Sequence, residues 1–198
     1  MGATTTIRKS ELPDDDLFMQ AKEGNVEAFN SLFYRYERKV YVYCMKVLMD
    51  EDLAHDAFQE AFMRLYQHRQ SYDGRNFMVW FFTIVRNVCL NMKRNRKVTV
   101  PFETSQANVA DAEIRDVVLY EQVAAALNKL PHDYREAIVL YEYEGYSYQE
   151  IAEMVGVPVG TVRSRLHRGR RMLQQALWAV AADRGIVAAL AAVGSEGA

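Results

Sequence analysis

The chain has 198 residues, half of them apolar and a quarter charged, with a formal net charge of −2. This composition excludes a disordered chain, and it excludes nucleic-acid binding driven by bulk charge, so any such affinity has to come from local patches. Four prolines, ten glycines and little β-branched alternation point to an all-α fold, and two cysteines without CxxC or Cys/His spacing point to buried thiols, no metal site and no cofactor.

Residues 1–12 are read as a disordered N-terminus, since Met1 to Ser10 lack the apolar segment of a signal peptide. A first helix is predicted from Asp14 to Asp16 onward, where acids suit the positive end of a helix; it turns Leu17, Phe18 and Ala21 inward and stops at Gly24-Asn25. A second carries Ala28, Phe29, Leu32, Phe33, Tyr36, Val40, Tyr43 and Val47 in steps of three and four, one buried stripe. Asp50-Glu51-Asp52 caps a third, which turns Leu53, Ala54, Ala57, Phe58, Ala61, Phe62, Leu65 and Tyr66 inward and Asp56, Gln59, Glu60 and Arg64 outward. Gln67 to Asn76, containing Asp73-Gly74, reads as a loop.

A fourth, strongly apolar helix runs from Phe77 to about Lys93 and ends in a basic cluster of Arg86, Lys93, Arg94, Arg96 and Lys97. Thr83, Asn87 and Asn91 form a polar stripe along it, leading to Arg94. Tyr72, Asn76 and Trp80 precede that stripe. Amides, aromatics and a basic end in one place suit contacts to bases and phosphates, although Trp80, Phe81 and Phe82 also fit a core.

Val98 to Asp111 breaks the pattern with Pro101, Thr104, Ser105 and Asn108, and is predicted to be a flexible acidic linker between two small helical domains, 13–97 and 112–178. In the second domain one helix runs to Leu130 before Pro131, and another runs from Tyr134 to Glu144, ended by Gly145. From Tyr146 to Arg171 the sequence spells a helix-turn-helix. Ser147 and Glu150 have capping-box spacing, Gly156 suits a left-handed turn and Pro158 opens the next helix. At 100° per residue, Val162, Leu166, Gly169 and Leu173 share one narrow stripe, the core side. Ser164, His167, Arg168 and Arg171 lie opposite, with Arg163 at the shoulder, residue types that bond base edges and phosphates. Arg165 and Arg170 sit at the flanks, placed for phosphates or for pairing within the protein. His167 fits a DNA contact or a plain surface position. Residues 179–198 form an alanine-rich tail.

These features together resemble, across nearly the full length, bacterial RNA polymerase sigma factors of the sigma-70 family, extracytoplasmic-function type. The resemblance is carried by Gly24 to Phe29, Ala54 to Phe62, Trp80 with Arg86-Asn87, Leu130-Pro131, Glu144 to Ala152 and Val159 to Leu166. It implies a cytoplasmic promoter-specificity subunit that is not an enzyme. Asp56, Gln59 and Glu60 would then meet core RNA polymerase. Tyr72, Asn76, Trp80, Thr83, Asn87, Asn91 and Arg94 would meet the −10 element of promoter DNA, with the loop Ser71 to Asn76 capturing a flipped base. Arg163, Ser164, His167, Arg168 and Arg171 would read the −35 element. An anti-sigma factor is a further implied partner, and no membrane insertion is expected. The sequence departs from the family pattern at Tyr141, where an arginine is common, at Met78-Val79 and at His167.

Two other functions fit parts of the chain. A stand-alone helix-turn-helix regulator explains the second domain but leaves the Asp56/Gln59/Glu60 group and the Thr83/Asn87/Asn91 stripe without a task. A DNA-processing enzyme would need a convergent carboxylate set or an activated nucleophile, and none is evident.

Overall fold

The computed structural model describes residues 12–95 and 122–183. The readings of the extreme N-terminus, of the 98–111 linker, of the start of the following helix and of the tail beyond 183 lie outside the described residues. All regular structure among the described residues is helical. The helices fall into two compact units, one before and one after the undescribed stretch 96–121.

The first unit contains α1 (Asp14–Lys22), α2 (Val26–Leu48), α3 (Glu51–Gln67) and α4 (Phe77–Asn95). Capping sets their limits. Gly24 takes φ +97 between α1 and α2, a conformation that favours glycine. The Asn25 side chain then accepts the Ala28 N–H at 3.2 Å to start α2, and the Asp50 side chain accepts the Leu53 N–H at 3.0 Å to start α3. The predicted stripes enter one core: Ala28, Leu32, Tyr36, Val40 and Val47 of α2, Ala54, Ala57, Ala61 and Leu65 of α3, and Phe81, Phe82, Val85 and Val88 of α4 are all buried. Cys44 and Cys89 meet inside it with sulfurs 3.7 Å apart, too far for a bond of about 2.05 Å, so both remain buried thiols as expected.

The acids at the start of α1 do more than face the positive end of their own helix. Asp14 accepts from the Arg35 guanidinium and the Tyr36 hydroxyl of α2. Asp15 accepts from the Tyr72 hydroxyl and, at 2.7 Å, from the backbone N–H of Phe77, the first residue of α4. Burial, helped by Asp14, raises the Tyr36 hydroxyl pKa far above its ordinary value, which keeps it a donor. These bonds join segments that are distant in sequence, which is why local patterning misses them.

The second unit contains the described end of α5 (122–128), α6 (His132–Ile138), α7 (Tyr148–Val155) and α8 (Val159–Asp183). α6 does not continue to Glu144 as a uniform α-helix. It passes into a π turn, Val139–Tyr143, closed by the Glu144 N–H on the Val139 carbonyl at 3.1 Å. One extra residue in a single turn shifts side chains too little for periodicity to reveal it. α8 crosses α6 closely at Gly169, where an added Cβ would stand 3.0 Å from Ile138 Cδ1 and 3.3 Å from the Tyr134 carbonyl oxygen.

Arg135 is the buried cation of this unit, only 6% exposed. Its guanidinium donates to the carbonyls of Leu127 and Asn128, each at 2.9 Å, and of Leu130 at 3.0 Å. It thereby satisfies the orphan acceptors at the end of α5 and sits against the negative end of that helix. Burial pulls its pKa below the ordinary guanidinium value. Arg135→Met keeps the apolar stem and removes all three bonds. It is expected to lower the stability of the second unit by about 2–3 kcal/mol in urea unfolding; an unchanged midpoint would show that the carbonyls do not need the guanidinium.

Candidate nucleic-acid and protein interfaces

The helix-turn-helix forms as its residue types require. The Ser147 N–H and hydroxyl donate to one Glu150 carboxylate oxygen at 2.8 and 2.7 Å, and the Glu150 N–H returns to the Ser147 hydroxyl oxygen at 3.3 Å. That is the reciprocal capping box at the start of α7. Gly156 takes φ +67 in the turn, and the Pro158 carbonyl accepts from Thr161 and Val162 to begin α8. Val162 and Leu166 are buried, which locks the rotation of α8 about its axis.

With that rotation fixed, Arg163, Ser164, His167, Arg168 and Arg171 are all exposed on the outer side of α8. The Ser164 hydroxyl donates to the Thr161 carbonyl at 2.9 Å and keeps its oxygen turned outward as an acceptor. The flanking arginines pair within the protein. Arg165 reaches Asp133 at 2.6 Å, and Arg170 reaches Glu142 at 2.7 Å with its guanidinium 5.1 Å from the Tyr141 ring. The hydrogen bond to Glu142 raises the Arg170 pKa. Tyr141 itself packs on Tyr148, ring centroids 5.0 Å apart. A polar notch of 380 Å³ beside this face is lined by His132, Asp133, Thr161, Ser164, Arg165 and Arg168.

In the first unit, Asn76, Trp80, Thr83, Asn87, Asn91 and Arg94 recur in steps of three and four. They define one face of α4 about 27 Å long, at about 1.5 Å per residue. Asn76, Asn87 and Arg94 are exposed, and Trp80, Thr83 and Asn91 are half-buried. Asn76 adopts φ 48 and its side chain accepts the Val79 N–H at 3.3 Å, capping α4. The Thr83 hydroxyl donates to the Val79 carbonyl at 2.8 Å. Trp80 rests against Tyr72 and Phe18, ring centroids 5.0 and 5.3 Å away.

Tyr72 does not belong to this face. It is 2% exposed, its hydroxyl donates to Asp15, and its carbonyl accepts from Lys22 Nζ at 2.9 Å. It is an internal strut, with no ring face open for stacking. The exposed part of the loop is 73–76.

On α3, Asp56 and Gln59 are exposed, and Glu60 is half-buried and bound to Arg64 at 2.6 Å. Beside Gln59 opens a groove that the helical pattern left unassigned. It has a volume of 640 Å³ and is lined by Phe29 and Phe33 of α2 with Phe58, Phe62, Met63 and Tyr66 of α3. The signal for it was present as doublets. In Ala28-Phe29, Leu32-Phe33 and Ala57-Phe58 the first residue is buried and the second only half-buried. Such a stripe is too wide for one core, and its surplus forms an apolar surface between two helices.

Comparison with known proteins meets the same surfaces. The family description "Sigma-70 region 2" matches residues 32–99 and "Sigma-70, region 4" matches residues 120–173. The ECF RNA polymerase sigma factor SigW of Bacillus subtilis is 34% identical over 177 residues, covering 80% of this chain and 93% of SigW. Among solved structures, CnrH in complex with the cytosolic domain of CnrY superposes with a TM-score of 0.68 at 28% identity, over 84% of this chain and 97% of that one. The sigma factor RpoE in complex with the anti-sigma factor NepR from Bartonella quintana gives 0.62 at 27% identity, over 75% of this chain and 96% of that one.

The division of arginines on α8 has a measurable consequence. Arg165→Ala breaks an ion pair whose cation is mostly covered, and is expected to cost about 0.5–1 kcal/mol in thermal unfolding. Arg163→Ala and Arg168→Ala change outward side chains and should leave stability within about 0.5 kcal/mol of the parent. The reverse order would mean that the outward arginines are structural.

Proposed function

The chain belongs to the ECF RNA polymerase sigma factors, and from that membership we propose how its surfaces divide the work of starting transcription. The protein is a promoter-specificity subunit that binds core RNA polymerase and directs initiation by reading −35 and −10 elements and aiding promoter melting. It is not a stand-alone regulator. Sigma factors are not enzymes, and on our reading this chain supplies recognition while the polymerase supplies the chemistry.

The second domain, 112–178, is assigned to the −35 element. α8 enters the major groove of duplex DNA with Arg163, Ser164, His167, Arg168 and Arg171 toward base edges and phosphates. The first domain, 13–97, is assigned to the −10 element. Asn76, Trp80, Thr83, Asn87, Asn91 and Arg94 line the path of the DNA, and the exposed loop residues 73–76 receive a displaced base. Extrusion of a base costs a few kcal/mol, so a waiting site lowers the barrier to opening. Asp56, Gln59 and Glu60 dock on core polymerase, and the adjoining aromatic groove extends that contact with apolar area.

One observation carries this division. An exposed acid and amide lie beside an open aromatic groove on a unit separate from the helix-turn-helix, a surface that a DNA reader working alone has no use for. No helix among the described residues is long and apolar enough to cross a membrane, which agrees with work in the bacterial cytoplasm. The solved RpoE relative is held by an anti-sigma factor, and an inhibitory protein of that class is the partner we assign to the inactive state.

Run-off transcription with purified core enzyme tests the whole reading; a chain that neither binds core nor supports any promoter-directed transcript sinks it. Asp56→Arg should weaken core binding by about tenfold or more with an unchanged melting temperature. Arg168→Ala should leave core binding intact and lower initiation by roughly 5- to 100-fold, the kinetic equivalent of about 1–3 kcal/mol of base contact, with relaxed preference at a single −35 position.

A further inference from the structure

We propose that Asp15 is a positioning residue for promoter opening: through Tyr72 and the start of α4, it holds the 73–76 loop in the shape that receives a displaced base. The proposal rests on the loop's assignment above and deepens it. A single carboxylate oxygen, Asp15 Oδ1, accepts both from the Tyr72 hydroxyl and from the Phe77 N–H, at 2.7 Å for the latter. Tyr72 and Phe77 are the residues immediately before and after the exposed stretch, so one group ties both ends of it. Lys22 of the same helix adds a third tie, from Nζ to the Tyr72 carbonyl at 2.9 Å. Phe18, one turn on from Asp15, lies against both Tyr72 and Phe77, ring centroids 5.2 and 4.7 Å away.

Between those ties the loop has little to hold it. Asp73, Gly74, Arg75 and Asn76 are all exposed. Gly74 and Asn76 take φ +85 and +48. The local bonds are the Arg75 N–H on the Asp73 carboxylate at 3.2 Å and the Asn76 cap on Val79. A four-residue stretch of this kind keeps a fixed shape only if its ends are fixed. Otherwise the cost of ordering it falls on the capture step. Ionised acceptors form the stronger class of hydrogen bond. Burial and Asp15 raise the Tyr72 hydroxyl pKa, so that donor keeps its proton. α1 lies outside the stretch 32–99 that matches the family description, so the tie is a feature of this chain's own N-terminal helix.

The test uses reconstituted holoenzyme on a promoter that it selects from a random library, supplied as a duplex and with the −10 segment already unpaired. Asp15→Ala should slow open-complex formation on the duplex by about tenfold, while core affinity stays unchanged and initiation on the unpaired template stays within about twofold. Asp15→Asn keeps an acceptor for the Phe77 N–H and should recover most of the rate. Tyr72→Phe removes one tie and should fall between the parent and Asp15→Ala. Parental opening rates in both Asp15→Ala and Tyr72→Phe overturn the proposal, as does an equal loss on duplex and unpaired templates. If Asp15→Ala does not assemble with core, Tyr72→Phe decides alone on the same two templates. Arg75→Ala combined with Asn76→Ala, with Asp15 intact, separates the premise from the inference. Normal opening there removes the loop's role. Slow opening there with normal opening in the Asp15 variants removes only the role of Asp15.

Discussion

The first unit depends on the contact of Phe18 with the aromatic side chains around it. α1 has nine residues, too few to persist as an isolated helix in water. It survives because Phe18 is fully buried among Tyr72, Phe77 and Trp80, at roughly 1.5–3 kcal/mol for a buried phenylalanine. That packing brings Asp14 and Asp15 within reach of donors on α2, the loop and α4. Carboxylates so close to a core stay ionised only when such donors meet them. The outward face of α4 is polar as a consequence of the same arrangement. Phe77, Phe81, Phe82, Val85 and Val88 are used up on the inner side, and the amides and Arg94 have only the outer side left.

Charge in the second unit is sorted by depth. A chain with a net charge of −2 gains nothing from its overall field when it approaches DNA. It gains from cations that no acid of its own neutralises. Arg135 is spent inside, on helix-end carbonyls, and Arg165 and Arg170 are spent on Asp133 and Glu142. Those two pairs pin α8 from both flanks, while buried Val162 and Leu166 and the narrow contact at Gly169 fix its rotation. Only then do Arg163, Arg168 and Arg171 point outward together. The geometry of the reading face is thus set by residues that never meet DNA.

The elements legible in the sequence are those governed by neighbours in the chain. Capping at Asn25, Asp50 and Ser147, the left-handed Gly156, the inward stripes and the outward arginines of α8 all follow from spacing and residue type, and the structure agrees with each. What escaped depends on distant partners. Tyr72 reads as a loop aromatic beside a basic strip, and only Asp15, 57 residues away, makes it internal. Asp14 and Asp15 read as helix-end acids for the same reason. The groove between α2 and α3 was written in the doublets, but a doublet alone does not say which partner enters the core. The π turn after α6 is too short to shift a periodic pattern.

The number of outward cations bears on why two readers share one chain. Three arginines on α8 release about three counterions, which gives a salt dependence near the low end for DNA binders and modest affinity at physiological ionic strength. The α4 face adds amides and one terminal Arg94, again a small electrostatic footprint. Neither surface is equipped to hold promoter DNA alone. On the proposed function, core polymerase carries both units at once, so the second contact becomes intramolecular and its effective concentration replaces its intrinsic affinity. Weak individual surfaces are then an advantage. A sequence matching only one element binds too loosely to retain the holoenzyme, and discrimination comes from the product of two modest contacts. The acid and groove on α3 belong to the same logic, since the reading helices reach useful affinity only once that surface is engaged.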